Sequence, residues 1–185
     1  MDAQLLDFDQ YQTCAVKTLK PDDFQRTVLH CILGMVGEAG ELIQLASHQN
    51  EQKVGELGDC MWYAACLAHT LGIKFQSLFD KSMLLRPDRS TAEMQLLIQG
   101  CAMADTIKKS VFYGKDLDQP KLEDMLCRYV TGLYRVCWTL RVPPLYVAKT
   151  NVEKLEARYG GVFSADKAIN RDHAAESAAA GIQTV

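Results

Sequence analysis

Four carboxylates have the most informative spacing in this sequence. Glu38 and Glu41 stand in GMVGEAGEL, and Glu56 and Asp59 follow in ELGDCMWY, with fourteen residues between the two pairs. Each pair is spaced i, i+3, so on a helix its two side chains share a face. Two neighbouring antiparallel helices could then turn all four acids toward one space. Like charges at such quarters repel strongly when left alone, whereas hard divalent cations take oxygen ligands and neutralise them. Carboxylates on facing helices are a recurrent way of building such sites in bundle interiors. Mg²⁺ suits this set better than Ca²⁺, because no EF-hand loop is present, and Mn²⁺ is expected to substitute. Gly34, Gly37 and Gly40 lie in the first acidic segment and Gly58 in the second. Each costs a helix about 1 kcal/mol against alanine, which implies that neighbouring helices approach closely there.

The elements that must position these acids read as helices throughout. Prolines punctuate the chain at Pro21, Pro87, Pro120, Pro143 and Pro144, and between them apolar residues recur every three or four positions. The spacing predicts a first amphipathic helix carrying Leu5, Leu6, Phe8, Tyr11, Ala15, Val16 and Leu19, closed at Lys20-Pro21-Asp22-Asp23. The two aspartates cap a second helix from Phe24 to about Ser47, and a third carries Val54 to Leu71 and stops at Gly72. A shorter helix is expected over Phe75 to Leu85, then a linker at Arg86-Pro87-Asp88-Arg89-Ser90. Further helices follow from Thr91 to Val111, from Pro120 to about Leu140, and from Pro143-Pro144 to Tyr159-Gly160-Gly161. The expected organisation is a single all-α domain over 1–173, with an acidic half at about 22–85, a second, basic half at about 91–159, and a loose tail over 174–185.

With 185 residues, of which 48% are hydrophobic, the chain can bury a proper core, which excludes disordered and fibrous classes. Its 20 Lys and Arg against 23 Asp and Glu give a net charge of -3, which offers no general attraction to a nucleic-acid polymer. The longest apolar run, Met61 to Ala68, is far short of the roughly 20 residues that cross a bilayer. The opening MDAQLLDFDQ is acidic and lacks the pattern of a secretory leader, so a cytoplasmic location is expected, the host cytoplasm if the protein is phage-encoded. Seven scattered cysteines, never spaced C-x-x-C, read as buried thiols and argue against zinc. No P-loop, nucleophile elbow or S-x-x-K motif occurs.

The two halves read as a degenerate tandem repeat. A shift of 69 residues aligns Leu57 with Leu126, Met61 with Val130, Leu67 with Val136 and Leu71 with Leu140, while a shift of 64 suits the preceding helices. The difference is expected to be taken up by a longer loop over 112–119. In this alignment the positions of Glu38, Glu41, Glu56 and Asp59 become Ala102, Asp105, Met125 and Arg128. The second half is therefore expected to hold no metal, and to offer Lys108, Lys109, Lys115, Arg128, Lys149 and Lys154 as cations instead.

The pattern GEAGEL followed by ELGDxxWY, within Leu29 to Ile73, resembles the MazG-like family of all-α nucleoside triphosphate pyrophosphohydrolases, relatives of the dimeric dUTPases. Asn151 to Tyr159, with Phe163-Ser164 and Ile169-Asn170-Arg171-Asp172 beyond it, is similar to the last helix and tail of phage and bacterial members. Ile107-Lys108-Lys109 with Phe112-Tyr113-Gly114 looks like the end of the family's first acidic helix. In compact members these pieces belong to one repeat, whereas here they are divided between the halves. The resemblance implies cleavage between the α and β phosphates of a (d)NTP, giving a monophosphate and pyrophosphate in the control of nucleotide pools. It implies Glu38, Glu41, Glu56 and Asp59 as metal ligands and catalytic acids, with Glu38 or Glu41 the candidate base. Lys108, Lys109, Asn151 and Lys154 are the expected nucleotide contacts. Trp62 and Tyr63 are open between core packing and base stacking. A purine substrate is favoured, dGTP before dATP, and the alternatives are a dUTPase-like hydrolase and a catalytically silent helical scaffold or nucleotide sensor. Family members bury outer helix faces against partner subunits, so a homodimer or homotetramer is expected.

Overall fold

The computed structural model describes residues 7–85, 90–179 and 181. Among them the regular structure is entirely helical: α1 (Phe8–Lys17), α2 (Phe24–Gln44), α3 (Asn50–Thr70), α4 (Phe75–Ser82), α5 (Ala92–Tyr113), α6 (Gln119–Leu140), α7 (Pro144–Tyr159), α8 (Ala165–Ile169) and α9 (His173–Ala179). Local chemistry sets most of the boundaries. The carboxylates of Asp7, Asp23 and Asp118 accept from backbone N–H groups in the first turns of α1, α2 and α6, and the Thr91 hydroxyl does the same for α5. Gly114 and Gly160 end α5 and α7 in the left-handed region, where a residue without Cβ meets no steric penalty.

Helices α2 and α3 form one antiparallel hairpin and α5 and α6 another, and the hairpins pack with α2 against α5 and α3 against α6. Helix α7 lies along α3 and α1, α4 leans on α6, and α9 folds back onto α7. The core between these layers holds Tyr11, Ile32, Met35, Leu57, Met61, Leu96, Met103, Leu126 and Tyr129, all fully buried. Phe8 stacks on Phe79 with ring centroids 3.6 Å apart, which joins α1 to α4.

Most of the expected helices are present, with two differences. The loops over 45–49 and 114–118 are equal in length, because α5 continues through Tyr113 to its Gly114 cap. The expected extra loop residues are thus extra helix. The tail expected to be loose from Ala174 instead forms α9 as far as Ala179, anchored by a buried Glu176. Leu5, Leu6, Arg86–Arg89 of the linker and most of the last residues lie outside the described residues. Cys31, Cys60, Cys66, Cys127 and Cys137 are buried thiols, as expected, while Cys14 is half-buried and Cys101 exposed.

Candidate active site

The hairpin geometry brings Glu38 from α2 together with Glu56 and Asp59 from α3. One carboxylate oxygen of each lies within 4.8 Å of the other two, and no other group of three potential metal ligands converges in this way among the described residues. All three are half-buried. Glu41, one turn beyond Glu38, stands exposed at the rim; its charge still raises the proton affinity of both glutamates.

Burial, followed by the charge of Asp59 and then of Glu56 and Glu41, pushes the Glu38 carboxyl up to about 8. Glu56 is raised as well, first by burial and then by Asp59, and the two glutamates share a hydrogen bond. Two carboxyl groups whose proton affinity is raised by burial and by crowded like charges are suited to a hard cation, which would displace a proton and take the same oxygens as ligands. The donor set therefore fits a divalent ion held by Glu38, Glu56 and Asp59.

The third wall comes from α7. Asn151 Nδ2 donates to Asp59 Oδ1 at 3.0 Å, and the Lys154 ammonium forms a close ion pair with Asp59 Oδ2. Asn151 is itself oriented by Tyr11 of α1, whose hydroxyl donates to Asn151 Oδ1 at 2.9 Å. Only 3% of Asn151 and 9% of Lys154 is exposed, so both polar groups are committed to this contact. Gly58 makes the approach of α7 feasible, since a Cβ there would come within 3.0 Å of Asn151 Cβ. The expectation of close helix approach holds for Gly58 and for Gly34, where a Cβ would overlap the Tyr63 ring at 2.3 Å. It does not hold for Gly37 and Gly40, whose Cβ positions face open space.

Tyr63, seated on Gly34, makes edge contacts with Trp62 and His30, and burial with the charges of Glu38 and Asp59 raises its hydroxyl's proton affinity. Trp62 is fixed by α1, its indole N–H donating to Ala15 O at 3.1 Å and Thr18 Oγ1 at 3.0 Å. The structure does not bring Lys108 and Lys109 into the cluster. Both are exposed near the end of α5 and pair with Asp105 at 2.7 and 2.5 Å. Three participants were not singled out from the sequence. Tyr11 gave no signal, because a buried tyrosine in an amphipathic helix looks like core. Arg158 was signalled by its i, i+4 spacing from Lys154, which places both on one face of α7. Glu176, with which Arg158 pairs, falls in the stretch read as loose.

The bundle thus converges carboxylates from two facing helices and meets them with Asn and Lys from a third. Residues 26–88, the segment that carries all four acids, match the model of the MazG nucleotide pyrophosphohydrolase domain. No curated protein and no solved structure matches the chain. No helix among the described residues is long and apolar enough to cross a membrane.

Proposed function

We propose that this protein is a divalent-cation-dependent nucleoside triphosphate pyrophosphohydrolase, converting a (d)NTP to the monophosphate and pyrophosphate. The observation that carries the reading is the cluster of Glu38, Glu56 and Asp59, closed by Asn151 and Lys154, inside the matched segment. Mg²⁺ held by the three carboxylates, with Glu41 at the rim, would polarise a phosphoryl oxygen and acidify a bound water. Asp59 is fixed in place by Asn151 and Lys154, which suits it to be a ligand. Either Glu38 or Glu41 would orient or deprotonate the attacking water, and Glu41 stands outside the three converging carboxylates. Lys154 lies beside the same acids and offers its charge to the substrate's phosphates.

The division of labour follows the halves: the first supplies the acids, and α7 supplies the amide and the ammonium. Guanine is proposed as the first base to test, and the role as nucleotide-pool control. A homodimer or homotetramer is proposed as the working form, supported by exposed Leu33 on α2 and Ile98 on α5. Light scattering that shows only a 20.7 kDa species rejects it.

The test is a product assay with the common NTPs and dNTPs and dUTP, in Mg²⁺, Mn²⁺ or EDTA. Monophosphate and pyrophosphate in equal amounts, formed only with metal, are expected. Release of orthophosphate and a diphosphate, or turnover in EDTA, rejects the reading. Preference for dUTP alone selects the dUTPase-like alternative, and no turnover of any substrate favours a nucleotide sensor.

A further inference from the structure

A continuous polar column runs along one face of α7: Asn151 and Lys154 touch Asp59, and Arg158 is one turn further on. Arg158 lies within electrostatic reach of Asp59 but does not pair with it. Its guanidinium grips the Glu176 carboxylate of α9 instead, with Nε to Oε1 at 2.8 Å and Nη2 to Oε2 at 2.6 Å. Arg171, in the turn before α9, grips the same carboxylate, with Nη2 to Oε2 at 2.8 Å and Nε to Oε1 at 3.4 Å.

Two planar forks therefore converge on one anion, which is 3% exposed. The pair of guanidiniums carries one positive charge more than Glu176 neutralises. Their combined donor geometry suits the larger, more highly charged oxygen array of a phosphate better than a single carboxylate. Helix α9 has seven residues, packs on α7, and is joined to it by the Arg158–Glu176 pair, while Arg171 ties the preceding turn to the same carboxylate.

We propose that Arg158 and Arg171 form an oxyanion subsite for the distal phosphates of a polyphosphate ligand, and that Glu176 occupies it in the free protein. The inference rests on the reading of the neighbouring carboxylates as a centre that handles phosphoric anhydrides. A ligand whose proximal phosphate lies at the acids and whose chain runs along α7 meets Lys154 and then Arg158. It displaces Glu176 and frees α9. After cleavage the same guanidiniums hold the leaving pyrophosphate, and the return of Glu176 competes it off. Although burial disfavours the ionised form, the hydrogen bonds and charges of Arg158 and Arg171 hold the Glu176 carboxyl down at about 2, so the competing anion is charged at all physiological pH values.

The test is calorimetric titration of the full-length protein with inorganic pyrophosphate at fixed Mg²⁺, using wild type, Glu176→Gln and the double variant Glu176→Gln/Arg171→Gln. Removing an internal competitor raises apparent affinity by the inverse of the fraction of protein in which the subsite is open, so E176Q is expected to bind about tenfold tighter. The double variant is expected to lose that gain. Saturating pyrophosphate should also speed amide exchange over residues 173–179 in the wild type, a readout that decides the matter even if E176Q does not fold. Unchanged or weaker binding by a folded E176Q, or α9 exchange that does not respond to pyrophosphate, overturns the proposal. Tighter binding by E176Q in a protein that hydrolyses no nucleotide would uphold the subsite and reject the catalytic reading alone.

Discussion

The hairpins α2–α3 and α5–α6 have nearly equal helices and equal loops, yet they treat charge in opposite ways. In the first, Glu38, Glu56 and Asp59 face one another, and the surrounding protein leaves their repulsion only partly answered. In the second, the aligned positions hold Ala102, Asp105, Met125 and Arg128. Asp105 is satisfied by Lys108 and Lys109 on its own helix, and Arg128 by Asp124 one turn away. Met125 is buried as core. The same frame thus forces like charges together in one hairpin and, in the other, gives the charges at the aligned positions local, exposed partners. Exposed i, i+4 pairs are screened by solvent and add little, so the second hairpin derives its stability from apolar packing. Residual charge, rather than the helical frame, distinguishes the half proposed to be functional.

The most severe way to break this contrast is to remove its centre. Asp59→Asn keeps the shape but takes away a ligand and weakens the partner of Lys154. Changes in the outer partners of metal ligands already cost about 10–100-fold; the loss of a ligand is therefore expected to lower kcat/KM by about 100-fold or more, with helicity by circular dichroism unchanged. Lys154→Met is expected to cost about 10–100-fold. Wild-type rates in Asp59→Asn would move the site elsewhere.

Glycines sharpen the comparison, because each hairpin has one under a large side chain. Gly34→Ala must displace the rigid Tyr63 ring. Such overpacking costs about 1–3 kcal/mol, against about 1 kcal/mol of helix propensity gained. In Gly132→Ala the nearest atom is the tip of Leu96, at 2.8 Å, which turns away more cheaply. Gly34→Ala is expected to lose both stability and activity, since Tyr63 adjoins Glu38 and Asp59. Gly132→Ala should keep its activity whatever happens to its Tm. Gly37→Ala, which meets nothing, should raise Tm by about 2–4 °C, the shift that about 1 kcal/mol gives at this size. Equal activity losses in Gly34→Ala and Gly132→Ala would erase the distinction between the hairpins.

Much of this contrast could be read from the residues, and the exceptions have physical causes. The helices were legible because apolar periodicity, capping aspartates and terminal glycines agree with one another. The acidic cluster was legible because i, i+3 spacing fixes a shared face whatever the tertiary structure. That Glu41 points outward was not, since the same spacing does not say how far around the helix the partner lies. The end of α5 was misjudged because Phe112 and Tyr113 look like loop residues when they are exposed, and only the Gly114 cap shows where the helix stops. Residues 174–179 were read as part of a loose tail because they are small and polar. What orders them is one carboxylate meeting two arginines, a long-range pairing with no periodic signature.

The two carboxylate environments also differ in how they respond to pH. The unfolded Glu38 carboxyl releases its proton near 4.5, whereas the folded one retains it to about 8. Between those values the folded chain binds more protons, so metal-free stability falls as pH rises through the window. Glu176 behaves in the opposite sense: its folded value near 2 means that its contribution is present above about 4.5 and is lost as pH falls toward 2. Because Glu38 is partly solvated, the expected drop in metal-free Tm from pH 5 to 8 is modest, about 2–4 °C. Mg²⁺ should abolish it. A metal-free Tm that rises across this range would mean that the three acids do not crowd one another in solution.

The smallest effect is expected where sequence and structure diverge most. Lys108 and Lys109 look like phosphate contacts in the sequence, yet both ammonium groups pair with Asp105 at the exposed end of α5. Such exposed pairs are screened by solvent and add little to stability. The double change Lys108→Gln/Lys109→Gln is therefore expected to leave Tm unchanged within about 2 °C. Because Lys154 already supplies the ammonium at the acids, kcat/KM should stay within about twofold, well below the loss from removing a phosphate-binding charge. A tenfold rise in KM with kcat unchanged would show that the second hairpin swings its cations onto the substrate. It would then be a binding partner for the first hairpin, and the inertness of its charges would describe the free protein alone.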